Sequence, residues 1–162
     1  MKEEALLIGL SQLGGVFAGF IAIFTVFARK DGRLSPADSL RVRSIIYASF
    51  IIVLGSLLPL LLSSFGVSDP ALWKISAAVF LVLAIPAPVD VARHQLALSR
   101  QDRRQVGTVH QVVSWGLSAT VTLLLGSIAL SHGGAGYYVL ALMLTVAIAT
   151  SNFVTIALQK LL

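Results

Sequence analysis

Asp90, Arg93 and His94 are the residues whose types and spacing come closest to a chemical site. Intervals of three and four residues place them on one face of a helix, and His110 is predicted at the same depth on the next helix. Because imidazole titrates near neutral pH, Asp90, His94 and His110 would suit a proton relay or a gate. The preferred interpretation is simpler, with Arg93 neutralising Asp90 in an ion pair at a membrane interface.

Two rows of polar side chains follow along the chain, each with the spacing of a single helix face. The first row consists of His110, Ser114, Ser118 and Thr122, and Gly126 continues it. The second row consists of Thr145, Asn152, Thr155 and Gln159. Facing rows would line a water-filled path in an oligomer. The alternative, which the sequence favours, is that the rows pack helices together, and Asn152 is then the residue most expected to have a specific partner.

Small residues recur every four positions in the first apolar segment. Ser11, Gly15 and Gly19 form one row, which we call the α1 seam. A second row beside it contains Gly14, Ala18 and Ala22. In lipid, helices associate by close van der Waals contact across such rows. The sequence therefore predicts that this segment is the central packing element, either inside the protomer or at a contact between subunits.

Catalytic patterns are lacking in the sequence. The chain has no cysteine, which excludes thiol nucleophiles, disulfides and thiolate metal sites. Paired histidines with the spacing of a helical metal site do not occur, and neither does a glycine-rich phosphate loop. Basic and aromatic residues are not interleaved as binding of single-stranded nucleic acid requires. We expect a protein that is not an enzyme and that uses no metal, cofactor or nucleic acid.

The elements that must position the polar residues are five apolar segments. Hydrophobic residues make up 57% of the 162 residues, and the mean hydropathy is +0.91, whereas about 45–50% apolar is usual in a soluble domain. A helix needs about 20 apolar residues to cross a bilayer. The segments cover residues 5–28, 44–64, 71–91, 108–131 and 136–158. The sequence predicts an all-α integral membrane protein with a single transmembrane helical domain over 1–162.

Basic residues are concentrated in two loops, and they determine the predicted orientation. Lys and Arg number 12, against 7 Asp and Glu. We expect contacts with the headgroups of anionic lipids from Arg29, Lys30, Arg33, Arg41, Arg43, Arg93, Arg100, Arg103 and Arg104. The positive-inside rule places the N-terminus outside and the C-terminus in the cytoplasm. The sequence lacks a glycosylation sequon, which is compatible with our expected location, the plasma membrane of a bacterium.

Capping residues and prolines mark where helices should begin and bend. Ser35, Pro36 and Asp38 predict that the second helix starts near Pro36, before its apolar segment. Asp69 and Pro70 give the same signal for the third helix. The prolines inside the second and third segments are Pro59, Pro86 and Pro88. These prolines should bend their helices or shift the local hydrogen bonds.

A weak internal repeat relates residues 26–42 to residues 90–106. Six of 17 aligned positions are identical at an offset of 64 residues. A true repeat would mean two parallel helical hairpins with a fifth helix added. The preferred alternative is that the two segments are not related by duplication. They are then similar because each leaves the membrane through a basic anchor and caps the next helix.

Two classes of function remain open from the sequence. The first is a homo-oligomeric channel or passive transporter, with a path lined by the fourth and fifth segments and a gate near Asp90, His94 and His110. The second is an accessory or scaffold subunit that packs in a larger membrane complex through the α1 seam. Charged residues are almost absent from the interiors of the segments, which argues against ion-coupled pumping.

Overall fold

The structure, a computed structural model, describes residues 2–27, 34–99, 108–130 and 132–161, with the backbone alone at residues 27, 108–110 and 159–161. The described residues are helical and contain no strand. The helices are α1 (Glu4–Phe27), α2 (Pro36–Ser64), α3 (Asp69–Ala84), α4 (Pro86–Ala97), α5 (Thr108–Ala129) and α6 (Ala135–Leu161). With α3 and α4 taken as one, five helices are long and apolar enough to cross a membrane, which confirms the predicted number.

The helices begin where the capping residues predict. Pro36 opens α2, and the backbone N–H of Asp38 donates a hydrogen bond of 3.1 Å to the hydroxyl of Ser35. This bond satisfies one of the amides that a helix start leaves without an internal partner. The next helix, α3, likewise begins directly after Ser68 with Pro70 in its first turn. The repeat proposed for residues 90–106 falls partly outside the described residues.

Two prolines divide the third apolar segment into α3 and α4. Ile85 separates the two helices, and Pro86 and Pro88 follow at the start of α4. Neither proline has an N–H to donate to the preceding turn, so the helical ladder is interrupted. Among the described residues, α3 packs against both α2 and α5, and α4 packs against α2. The predicted disturbance of the helix at these prolines is therefore present, as an interruption at Ile85.

The centre of the bundle is formed by α2 and α6. Helix α2 packs against α1, α3, α4 and α6, and helix α6 packs against α1, α2, α3 and α5. Among the described residues, α1 packs mainly against α2 and touches α6 less extensively. Inside the protomer the centre is therefore the pair α2 and α6, and α1 packs beside it with one face while its other faces remain exposed. That the first segment packs at a contact between subunits stays a prediction.

The face of α1 that packs on α2 is the one next to the α1 seam. A Cβ atom at Gly14 would lie 3.0 Å from the backbone carbonyl oxygen of Ser49, so only glycine permits this approach. A Cβ atom at Gly15 or Gly19 would meet nothing within 4 Å. Ser11 is half-buried, and both of these glycines are exposed. Within the chain, then, the contact uses Gly14 of the neighbouring row, whereas Ala22 of that row and both glycines of the seam are exposed.

An aromatic cluster packs the interior near the turns that join α2 to α3 and α5 to α6. The ring of Tyr138 lies 5.5 Å from the ring of Trp73 and 5.7 Å from that of Phe80. Its hydroxyl donates a hydrogen bond of 2.7 Å to the carbonyl oxygen of Gly55 in α2. Tyr138 is fully buried, and aromatic pairs at these distances contribute beyond their buried area. This cluster closes the bundle at that end.

Candidate functional site

The two ends of the bundle differ in character. We call one end the basic end, because α2 and α5 begin there, α4 ends there, and Arg41, Arg43 and Arg93 lie in these helices. At the opposite end, the turn end, Gly66 has a φ of +76°, which only glycine adopts without strain. The aromatic cluster fills the turn end. Polar groups are concentrated toward the basic end, and a cavity opens there.

The large cavity lies between α2, the junction of α3 and α4, α5 and α6, and has a volume of about 130 Å³. Phe80 and Val121 belong both to its lining and to the hydrophobic core, so the core closes it toward the turn end. The polar or amphipathic residues in its lining are Ser44, Tyr47, Ser114, Trp115, Ser118, Thr122 and Thr145.

Hydroxyl groups from both predicted polar rows line this cavity. Ser118 donates to the carbonyl of Ser114, and Thr122 to that of Ser118, each at 2.9 Å. Across the cavity, Thr145 donates to the carbonyl of Ala141, also at 2.9 Å. The hydroxyl oxygen of Ser114 is buried and has no hydrogen-bond partner among the described residues. Ser114, Ser118 and Thr122 of the first row and Thr145 of the second therefore line a common space within one chain, whereas the side chains of His110 and Gln159 lie outside the described residues.

The mouth of the large cavity lies between α4 and α5. Trp115 and Thr122 line the cavity and are also exposed on the surface of the bundle. The indole N–H of Trp115 donates a hydrogen bond of 3.3 Å to the side-chain oxygen of Gln95, which joins α5 to α4 at the basic end. The remaining width between these two helices is the opening into the cavity.

A small cavity of about 50 Å³ adjoins the large one at the basic end. The two share Ser44, Val91, Ser114 and Trp115 in their linings. Side chains found only in the small cavity are Leu40, Arg41, Gln95, Gln111 and Asn152. The lining thus changes from apolar and hydroxyl groups in the large cavity to amides and a guanidinium in the small one.

Arg41 is buried in the wall of the small cavity instead of at the surface. Its side chain is 2% exposed, and its guanidinium lies 3.7 Å from the carboxylate of Asp38, one turn earlier. The first turns of α2 are inside the bundle because Ala37 and Leu40 pack against Val91 of α4. The prediction of a headgroup contact is therefore wrong for Arg41.

Asn152 connects α6 with α2 beside the small cavity. Its side-chain amide donates to the carbonyl of Ile148 at 2.9 Å and to the hydroxyl of Ser44 at 3.4 Å. This contact between helices is the specific partner that the sequence predicts for Asn152. It holds the amide in a fixed position at the edge of the cavity.

Asp90 joins α4 to α2 through a group of polar contacts. Its Oδ2 accepts hydrogen bonds from Arg43 at 3.1 Å and from the hydroxyl of Tyr47 at 3.2 Å. Its Oδ1 lies 3.3 Å from Nδ1 of His94, one turn later on α4. The predicted pairing with Arg93 is wrong, since α4 leans on α2 and brings Asp90 to Arg43, while Arg93 is exposed.

The two predicted gate residues with described side chains lie outside the linings of both cavities. Asp90 and His94 are absent from both linings, and the side chain of His110 lies outside the described residues. The described residues contain no group of three or more acidic or histidine side chains able to hold a metal ion. Six of the predicted headgroup contacts also lie outside the described residues, namely Arg29, Lys30, Arg33, Arg100, Arg103 and Arg104.

Sequence reasoning missed the contribution of α2 to the site. Ser44 and Tyr47 line the large cavity from α2, and Ser44 also reaches Asn152. Their spacing of three residues places both on one helix face, which was the available signal. No family model matches the chain, and no similar curated protein or solved structure was found. The geometry of the cavities therefore carries the functional argument.

Proposed function

We propose that this chain is a multi-pass protein of the plasma membrane with its N-terminus outside and its C-terminus in the cytoplasm. Five helices of suitable length and apolar composition support the insertion. The excess of basic residues at the basic end supports the orientation, because Lys and Arg accumulate on the cytoplasmic side. In this orientation the small cavity lies toward the cytoplasm.

Within the membrane, the chain acts as a passive channel or transporter for a small uncharged solute. The observation that carries this proposal is the large cavity lined by hydroxyls from α5 and α6. Rows that served packing alone would be in direct van der Waals contact, since small hydroxyl residues allow helices to approach closely. Ser114, Ser118 and Thr122 of α5 and Thr145 of α6 instead border a cavity of about 130 Å³. A mainly apolar cavity with a few hydroxyl groups in its wall suits an uncharged solute that must leave water.

Passage requires movement, because the aromatic and aliphatic core closes the cavity at the turn end. Helix α4 is the element best suited to move, since none of its residues is fully buried. Few buried apolar contacts mean a low free energy for local opening. Asp90, bound to Arg43 and Tyr47, is the polar tie that holds α4 against α2. The proposal assigns no catalytic step and no ion coupling to any residue.

A matched pair of threonines on α5 tests the path. Thr122 and Thr120 are both exposed, and each donates its hydroxyl to the carbonyl four residues earlier, but only Thr122 lines the cavity. In proteoliposomes, we expect Thr122→Leu to reduce the flux of radiolabelled urea, glycerol and benzamide toward that of empty liposomes. Thr120→Leu should leave the flux unchanged.

The flux assay also has outcomes that refute the path. Equal flux in the two variants would remove the large cavity from the route of the solute. If the wild-type protein carried none of the three probes faster than empty liposomes, the transport proposal would fail as a whole. Circular dichroism and size-exclusion chromatography of both variants control for folding.

The second candidate function is that of an accessory subunit, or of one subunit in a homo-oligomer. It is favoured by the α1 seam, since a Cβ atom at Gly15 or Gly19 would meet nothing within 4 Å. A second helix could approach this outer face as closely as α2 approaches Gly14 on the neighbouring face.

A further inference from the structure

We propose that the large cavity binds an uncharged molecule with one aromatic ring and one hydrogen-bonding group, such as an aromatic amide. This inference rests on the proposed function in one respect, since it names the class of solute for the same cavity. Binding itself does not require transport, however, so the two can be tested separately.

The size of the cavity selects a single ring. A cavity of about 150 Å³ lined by apolar side chains is large enough to bind benzene, and the large cavity has about 130 Å³ together with an open mouth. A ring therefore fits inside, and a short substituent extends toward the shared wall with the small cavity. Fused rings or long chains exceed this space.

The lining favours an aromatic ring in particular. Phe80 contributes a buried ring, and Tyr47 and Trp115 contribute rings near the mouth. Aromatic pairs in offset or edge-to-face arrangements gain stabilisation beyond the burial of area alone. Ala84 at the end of α3 and Pro88 in α4 add small apolar surfaces. A flat ring can contact these groups on several sides.

The charges around the cavities select an uncharged ligand. None of the described residues that line the large cavity carries a formal charge. In the small cavity, Arg41 lies beside Asp38, so these neighbouring buried charges sum to zero without a ligand. An anion or a cation would add a net buried charge, which is unfavourable unless it is paired.

The hydrogen-bonding group expected on the ligand follows from a single hydroxyl of the protein, that of Ser114. The oxygen of Ser114 is buried, lacks a partner among the described residues and lies in the wall shared by both cavities. A buried polar group without a partner is uncommon and costs free energy. Rotation of the Ser114 side chain to another staggered χ1 position would bring this hydroxyl to the cavity surface. An amide on the ring can then accept a hydrogen bond from it or donate one to it, and so remove that cost.

Calorimetric titration of the protein in nanodiscs tests the proposal, with empty nanodiscs as the blank. The probes are benzamide, benzoate and toluene, which share one ring but differ in charge and hydrogen bonding. We expect saturable binding of benzamide. Benzoate should bind at least tenfold more weakly, because its charge would be buried without a partner. A factor of ten in affinity corresponds to about 1.4 kcal/mol. Toluene should bind, but more weakly than benzamide.

Two serine variants on α5 separate the hydrogen bond from general effects. Ser114→Ala should weaken benzamide binding about three- to tenfold, the range of one neutral hydrogen bond, and leave toluene binding within a factor of two. Ser127→Ala is the matched control, because Ser127 donates to the carbonyl of Leu124 and lies outside both linings. This variant should leave the affinities for benzamide and toluene unchanged.

Several results would overturn the inference. Absence of saturable benzamide binding refutes the site, and benzoate binding as tight as that of benzamide refutes the uncharged class. An unchanged benzamide affinity in Ser114→Ala refutes the hydrogen bond. If benzamide binds as expected while the wild-type protein carries none of the three probes faster than empty liposomes, the transport function fails and the binding site stands.

Discussion

The hydroxyl of Tyr138 donates a hydrogen bond to a backbone carbonyl whose usual donor position within the helix is occupied by a proline. In a regular helix the carbonyl of Gly55 accepts from the N–H of residue 59, but residue 59 is proline and has no N–H. Tyr138 of α6 donates to this carbonyl at 2.7 Å from across the bundle. The pairing requires the close approach at Gly55, where a Cβ would lie 3.0 Å from Leu142. We therefore expect Tyr138→Phe to be costly.

The expected cost follows from what the substitution removes and what it keeps. Phenylalanine retains the ring that packs against Trp73 and Phe80, so only the hydroxyl is lost. Hydrogen bonds between helices in membrane proteins average about 0.6 kcal/mol and reach about 1.7 kcal/mol. An acceptor left buried without a donor costs about 1–3 kcal/mol. We expect Tyr138→Phe to lower the free energy of unfolding by about 1–2 kcal/mol.

A double-mutant cycle with Pro59→Ala tests the physical cause. Alanine at position 59 supplies an N–H to the carbonyl of Gly55, which then no longer depends on Tyr138. In the Pro59→Ala background, Tyr138→Phe should cost about 0.5 kcal/mol or less, and the coupling energy should be about 1 kcal/mol. Reversible unfolding by sodium dodecyl sulfate in mixed micelles measures all four proteins.

The cycle also has a clear refutation. Equal costs of Tyr138→Phe in both backgrounds would mean that the hydroxyl does not compensate for Pro59. Tyr137→Phe is the matched control, because Tyr137 is half exposed and the substitution is identical. A similar loss of stability in that control would assign the effect to α6 in general and not to this hydrogen bond.

Two further predictions concern orientation and assembly. Since the chain has no cysteine, single Ser68→Cys and Ser99→Cys variants can be labelled in intact cells with a membrane-impermeant maleimide. We expect labelling at position 68 only. Labelling at position 99 only would invert the proposed orientation. In native mass spectrometry of gently extracted protein, Gly15→Leu should release a second copy or another subunit, whereas Gly116→Leu, also on an exposed glycine without neighbours within 4 Å, should not. An intact assembly in Gly15→Leu would exclude the α1 seam as the contact.

Local signals in the sequence were sufficient to predict the helices and several of their ends. Long apolar runs predict the five spanning helices, because each run must satisfy its backbone internally. The cap at Ser35 and the bend near Pro86 are also local, since they depend on residues within one or two turns. The two polar rows were visible for the same reason, as their spacing is that of a single helix.

Contacts between helices were not predictable in the same way. The choice between Gly14 and Gly15 as the packing glycine depends on how α1 is rotated toward α2, and adjacent residues point about 100° apart on a helix. The partner of Asp90 is Arg43, 47 residues away, because α4 packs on α2. Arg41 was expected at the surface because composition places basic residues at membrane interfaces, whereas packing buries it.

The prolines of α2 and of the third segment have opposite structural consequences, and the difference explains where the site lies. Pro59 interrupts one hydrogen bond, and Tyr138 replaces the missing donor, so α2 continues without a break to Ser64. At Pro86 and Pro88 the helix ends and begins again. Ala84, Ala87 and Pro88 from this junction line the large cavity. The proposed solute site therefore lies beside the second group of prolines, whereas Pro59 is buried in the packed interior.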